Sequence, residues 1–268
     1  MKEVLTALLL INVYQLPNLQ ANGYHSVTLK TPVEVHRECR KILQIPKDSP
    51  QEGECEDRCE ILLARAWDDT RGPAYNMLRV FWRPYDPEDE CFIDRTYRCL
   101  LWNRDQFNLT SPELCRRASE TTLCFDKYYG LPDRKKKLFF RSTALNLRSI
   151  VESCRKFQQL SDQDLVHPLN NDFVDSEVTG CLLRCVTIRA GLYSDVEGPN
   201  VDRLEQMYGA RSLERDHFRD AAQKCVNRTR LQHPEASACR LAAYFVDHCF
   251  EELLQEIRAA ILEIIKFE

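Results

Sequence analysis

EVTGCLLRCVTIRAGLYSDVEGPNVDRLEQMYG, Glu177 to Gly209, opens as a helix carrying Cys181 and Cys185, with Leu182, Leu183, Val186 and Ile188 around them. Four-residue spacing stacks both sulfurs on one helix face, one turn apart. Neighbours along a helix axis sit too far apart for comfortable disulfide geometry, so each thiol points to a different neighbouring element. Gly191 ends the helix, Gly198-Pro199 marks a turn, and NVDRLEQMYG restarts a helix with Asn200 or Asp202 as N-cap. The stretch therefore reads as a helix pinned on two sides, then a hairpin-like turn, then a second helix.

Working outward, the other cysteines repeat this pattern. Cys154, Cys181, Cys185, Cys225, Cys239 and Cys249 fill the second half, and Cys39, Cys55, Cys59, Cys91, Cys99, Cys115 and Cys124 the first. Each half has a C-x3-C separated by 39 residues from a later cysteine (Cys59 to Cys99, Cys185 to Cys225), and each ends with two cysteines with 8 or 9 residues between them. Cys91 has no counterpart. The chain reads as two copies of a six-cysteine unit. With eight glycines in 268 residues and runs rich in Glu, Leu, Arg and Ala, the fold class expected is all-α.

At the N-terminus, Lys2 precedes an apolar run from Val4 to Val13, and Ala21 offers a cleavage position. This reads as a secretory signal peptide over 1–21, the run being too short for a membrane span. Thirteen cysteines in an exported chain imply disulfides, and the odd count leaves one over: Cys91, the one without a counterpart, is either a free, buried thiol or bridged to another chain. The remaining boundaries fall at 22–130 for a first unit, 131–145 for a linker and 146–268 for a second unit with an extended C-terminal helix. LPDRKKK, 131–137, reads as a solvated linker, with a processing site or anionic docking patch as alternatives.

Helices are expected over Val33–Leu43, over Glu54–Trp67, from Pro87 through Asp105, and from Ser111 to Gly130. The last helix continues past Cys249, where Phe250, Leu253, Leu254, Ile257, Ala260, Ile261, Ile264 and Ile265 form an apolar stripe. That stripe is expected to pack back across the junction, with dimerisation or a membrane surface as the other uses. Asn108-Leu-Thr and Asn227-Arg-Thr fit the glycosylation pattern, and Asn108 is the better acceptor because Asn227 lies in a helix two residues after a cysteine.

Catalytic signatures are missing from the sequence: no H-E-x-x-H, no G-x-S-x-G and no Gly-rich phosphate loop. Six histidines are scattered, and neither a metal site nor a cofactor is expected. A net charge of −4 without a basic stripe gives no case for nucleic acid. Short helices tied by crosslinks can instead enclose an apolar hollow, each bridge contributing about 2–4 kcal/mol by restricting the unfolded chain.

The ordered cysteines and the text CLLRCVTIRAGLYSD…NVDRLEQMYG resemble the insect odorant-binding proteins. The last gap in the second half is nine residues where the family usually has eight, and the Cys39–Cys55 gap of 15 is shorter than the family's. Two such units after one signal peptide resemble the double-domain, atypical members of mosquitoes. The resemblance implies two disulfide-stapled helical domains in tandem, pairing Cys39 with Cys59, Cys55 with Cys115, Cys99 with Cys124, Cys154 with Cys185, Cys181 with Cys239 and Cys225 with Cys249. It implies a secreted carrier of small apolar ligands, without catalysis. An odorant receptor, or a second copy bound through the C-terminal helix, would be its partner.

Candidate pocket walls are Leu62, Leu78, Phe81, Trp82, Tyr97, Leu101 and Phe125 in the first unit. In the second they are Leu182, Val186, Leu192, Tyr193, Leu204, Met207, Phe218, Tyr244 and Phe245. The rival within binding proteins is the salivary D7 type, which captures amines or lipid mediators and would need Asp172, Asp175 or Asp195 facing a ligand. The rival from another class is an extracellular interaction protein whose cavities are filled.

Overall fold

The computed structural model describes residues 28–46, 49, 53–89, 91–104, 111–170, 173–209 and 217–267. The expected signal peptide and Asn108 lie outside them. The architecture is all-α with four two-stranded ribbons. In the first half, β1 (Thr28–Lys30) leads into α1 (Pro32–Ile42), α2 (Glu54–Leu63), the β2–β3 ribbon (Trp67–Asp68, Gly72–Pro73) and α3 (Tyr75–Phe81). β4 (Trp82–Pro84), α4 (Phe92–Arg104), α5 (Ser111–Cys124) and β5 (Gly130–Pro132) complete it. After β6 (Leu138–Phe140), the second half runs through α6 (Ala144–Gln158), α7 (Asp162–Val166), α8 (Glu177–Arg189), the β7–β8 ribbon (Tyr193–Ser194, Gly198–Pro199) and α9 (Val201–Tyr208). It closes with α10 (Phe218–Gln232), α11 (Ala238–Cys249) and α12 (Glu251–Phe267).

Helix ends follow local chemistry. α1 starts at a capping box between Thr31 and Glu34 with Pro32 in its first turn, and α8 starts where the Ser176 hydroxyl accepts from the Thr179 N–H. Asn200 caps α9 by accepting from the Arg203 N–H. Three expected boundaries are corrected. The helix from Glu54 stops at Leu63, not Trp67, because Arg65 turns left-handed (φ 57°) and Ala66 bonds back to the Ile61 carbonyl, releasing Trp67 into a ribbon. The helix expected from Pro87 begins at Phe92, because the Asp86 and Asp89 carboxylates accept from the Glu88 and Cys91 N–H groups and hold the segment in turns. The C-terminal helix is not continuous: Phe250 (φ −138°, ψ 53°) leaves the helical region with its ring buried, and α12 starts anew.

Six disulfides staple the chain: Cys39–Cys59, Cys55–Cys115 and Cys99–Cys124, then Cys154–Cys185, Cys181–Cys239 and Cys225–Cys249. The order is first with third, second with fifth and fourth with sixth in both halves, so α2 and α8 are each tied to two elements. Cys91 is unbridged and exposed, which corrects the expectation of a buried thiol; it sits just before α4 beside the Asp89 turn.

Two apolar clusters form. One gathers Val35, Ile61, Leu78, Phe81, Phe125 and their neighbours in the first half, the other Leu182, Leu183, Val186, Phe245 and Ile257 in the second. The span 131–145 contains the end of β5 and all of β6, and β6 pairs with β1 in antiparallel register, Leu29 opposite Phe139. Leu138 and Phe140 belong to the first cluster and Phe139 to the second, as expected when successive strand side chains point to opposite faces. The stripe on α12 lies against α6, α11 and α7 of its own half, which corrects the expectation that it crosses the junction; Leu253, Leu254, Ile257, Ile261 and Ile264 are all buried there. The apolar face that dimerisation through this helix would use is thereby covered within the chain.

Candidate functional site

The same device builds both halves around their ribbons. Within each C-x3-C helix an arginine immediately precedes the second cysteine: Arg58 before Cys59, Arg184 before Cys185. Arg58 donates through Nε and an Nη nitrogen to the two carboxylate oxygens of Asp69, at 2.9 and 2.5 Å. Arg184 grips Asp195 in the same two-pronged way. The arginine holds each carboxyl below the ordinary aspartate value, with Trp67 Nε1–H adding to the effect at Asp69. These clamps fix the β2–β3 and β7–β8 ribbons on their helices, and the ribbons aim α3 and α9.

α3 and α9 occupy matching places in the two halves, and they pack against each other. Asn76 Nδ2 of α3 donates to the Gln206 backbone carbonyl of α9 at 2.6 Å. Beside this contact a cleft of about 950 Å³ opens between the halves. Leu62, Trp67, Met77, Leu100 and Met207 supply its apolar surface; Arg65, Arg71, Arg117 and Arg141 supply positive charge, with Asp68 the acid among its lining residues. The Asp68 carboxylate is engaged by its own turn, accepting from the Thr70 hydroxyl and from the Thr70 and Arg71 N–H groups, which hold its pKa low.

Arg65 is a special position. It holds a left-handed conformation that costs a non-glycine residue about 1 kcal/mol. Six residues after Cys185 the second half has Gly191 in the same conformation (φ 71°) and with the same backward hydrogen bonds, Gly191 N–H to Ile188 and Leu192 N–H to Thr187. Burial, and then the neighbouring Arg141 guanidinium, lower the Arg65 pKa. Arg141 pairs with Glu256 of α12, whose other oxygen accepts from the Tyr208 hydroxyl at 3.0 Å, and burial pushes that phenol well above its ordinary value. Arg117 lies over the Trp67 ring, 5.6 Å from its centroid. Among the described residues, no carboxylate pairs with the guanidinium groups of Arg65, Arg71 or Arg117. Two buried carbonyl oxygens, Asn76 Oδ1 and Gln206 Oε1, also lack partners at the cleft wall.

A smaller cavity of about 220 Å³ lies in the first half between Val33, Ile61, Phe81 and Trp82. At its polar end His36 Nδ1 is 2.6 Å from Glu60, and Trp82 Nε1 donates to Asp126 at 2.6 Å. Burial raises the Glu60 pKa, opposed by His36. His36, Glu56 and Glu60 are close enough to share a metal ion, but Arg40 already neutralises buried Glu56 at 3.3 Å. In a second cluster, Glu177 with Cys181 and Cys239, both sulfurs are spent in one disulfide.

The expected pocket walls disperse. Leu62 and Met207 line the cleft, and Phe81 and Trp82 the smaller cavity. Leu78 and Phe125 are packed core of the first half; Tyr97 is half-buried against that core, and Leu101 is half-buried on α4. Leu182, Val186, Leu192, Tyr193, Leu204 and Phe245 are packed together in the second core, with Phe218 against its edge. Tyr244 stacks on His233 with ring centroids 3.9 Å apart. The cleft arginines were not among the expected site residues. A signal for them lay in the repeat itself: counted from the cysteines, Arg65, Arg71 and Arg117 stand where the second half has Gly191, Glu197 and Leu241.

Residues 139–252 match the PBP/GOBP family. The PBP/GOBP span begins in β6 and ends in the first turn of α12, so it takes in the three disulfides of the second half, α9 and one wall of the cleft. Among curated proteins and among solved structures nothing gives a significant match.

Proposed function

We propose that the protein is a secreted, non-catalytic carrier that binds small, mostly apolar molecules reversibly, with the cleft between its two disulfide-stapled halves as the main site. The observation that carries this reading is that cleft: about 950 Å³ is within the range of small-molecule sites, and α2 and α5 on its first-half side are fixed to each other by Cys55–Cys115. The PBP/GOBP match over the second half supports a carrier. The first half's repetition of the bridges, the ribbon and the arginine–aspartate clamp supports two tandem units, 22–130 and 146–268. Six disulfides favour an oxidising, extracellular setting.

An amine scavenger fits this cleft poorly, because its charged lining is mainly arginine. Of the acids such a site would use, Asp175 is paired with Arg240 and Asp195 with Arg184; Asp172 lies outside the described residues. The test is uptake of N-phenyl-1-naphthylamine by the oxidised protein, followed by displacement with odorants, fatty acids and biogenic amines. Saturable uptake displaced by apolar compounds is the expected result. No uptake would end the carrier reading, and selective displacement by amines would replace it with the scavenger.

A further inference from the structure

Resting on the carrier reading, we propose that the cleft selects small organic anions with an apolar body, the carboxylate or phosphate head being held by Arg65, Arg71 and Arg117. Three observations point there together. Arg65, Arg71 and Arg117 line one cavity from three separate elements, the end of α2, the β2–β3 turn and α5. Among the described residues none of them has a carboxylate ion-pair partner, although nine other arginines are in ion pairs. Against these charges the lining offers one acid, Asp68, whose carboxylate is taken up by its own turn, so an anionic ligand would relieve the remaining repulsion.

The fold does not require these arginines. The second half builds the same helix, ribbon and bridges with Gly191, Glu197 and Leu241 at the matching places. At Arg65 the substitution runs against backbone preference, placing a long cationic side chain where the other half uses glycine. Beside the charges, Leu62, Trp67, Met77 and Met207 offer the surface for an alkyl or ring body, and the arginine fork matches a carboxylate or phosphate in shape.

The experiment compares decanoate, decyl phosphate and decanol, below micelle-forming concentrations, as competitors of N-phenyl-1-naphthylamine on the full oxidised chain. The anions are expected to bind about tenfold or more tighter than the alcohol, with the gap narrowing as salt rises; the tighter of the two anions identifies the head group. Arg65→Gly, Arg71→Glu and Arg117→Leu, each the residue of the matching position, are expected to close the gap. Arg65→Gly is also expected to raise the thermal midpoint, so its lost selectivity cannot be put down to misfolding. Equal binding of all three competitors, or selectivity that survives in the three variants, overturns the anion assignment and leaves the carrier reading standing. If the probe itself is not taken up, the carrier reading fails and the anion assignment with it.

Discussion

At Gly180 a Cβ would sit 2.7 Å from the Cys239 carbonyl oxygen and 2.9 Å from its carbon. The neighbouring Cys181–Cys239 bridge holds the two Cα atoms 4.4 Å apart, so α8 and α11 cannot separate to make room. Gly180→Ala is therefore expected to destabilise the protein by about 2 kcal/mol, the scale of an overpacked core, read as a lower denaturant midpoint. Exposed Cys91 should react with one equivalent of a thiol reagent in the native state, and Cys91→Ser should abolish the reaction without shifting the thermal midpoint. At this scale the cysteines were legible, since their spacing repeats. Arg65 was not: nothing in the local text marks an arginine as left-handed, and its role appears only when it is set against Gly191. The arginine–aspartate clamps were within reach, because R-C-x9-D occurs in both halves at the same register.

Elements were read best where an apolar period and a capping residue agree, as at α1 and α8, and worst where side chains outside the period decide the end. The Asx turns before α4 and the left-handed step after α2 each displaced a boundary by four or five residues without altering the periodicity on either side. The α12 stripe was plain in the sequence, but its partner was not, since periodicity gives a face and no address. Ile257 and Ile261 are fully buried in the second core. Ile257→Ala is expected to cost about 2–5 kcal/mol, measured by chemical denaturation. Leu182→Ala should cost as much while leaving probe affinity unchanged, because Leu182 is packed core and not cleft wall; a change in affinity with little loss of stability would return it to the wall of a pocket.

Across the whole molecule, Asp69 and Asp195 have folded pKa values held below the ordinary 3.8 by their arginines. The stability they contribute is complete above that value and drains away as pH falls through the depressed values, when the unfolded chain binds protons first. A thermal midpoint followed from about pH 6 down to about pH 2.5 should fall at the acid end, and the fall should be shallower in the double variant Asp69→Asn, Asp195→Asn. Glu60 works in the opposite sense: its raised pKa lends stability below 4.5 that is lost as pH climbs through the folded value. The helical class and the stapled frame could be read from the sequence because cysteine order carries them. The cleft could not, because it exists only where α3 and α9 meet, and no local pattern records a meeting between elements 130 residues apart. The three residues of β6 have a calorimetric consequence. Leu138 and Phe140 plug one core while Phe139 plugs the other, so melting either half pulls an aromatic ring out of its neighbour. The heat-absorption trace should then show a single peak whose van't Hoff and calorimetric enthalpies agree, and Phe139→Ala should split it in two.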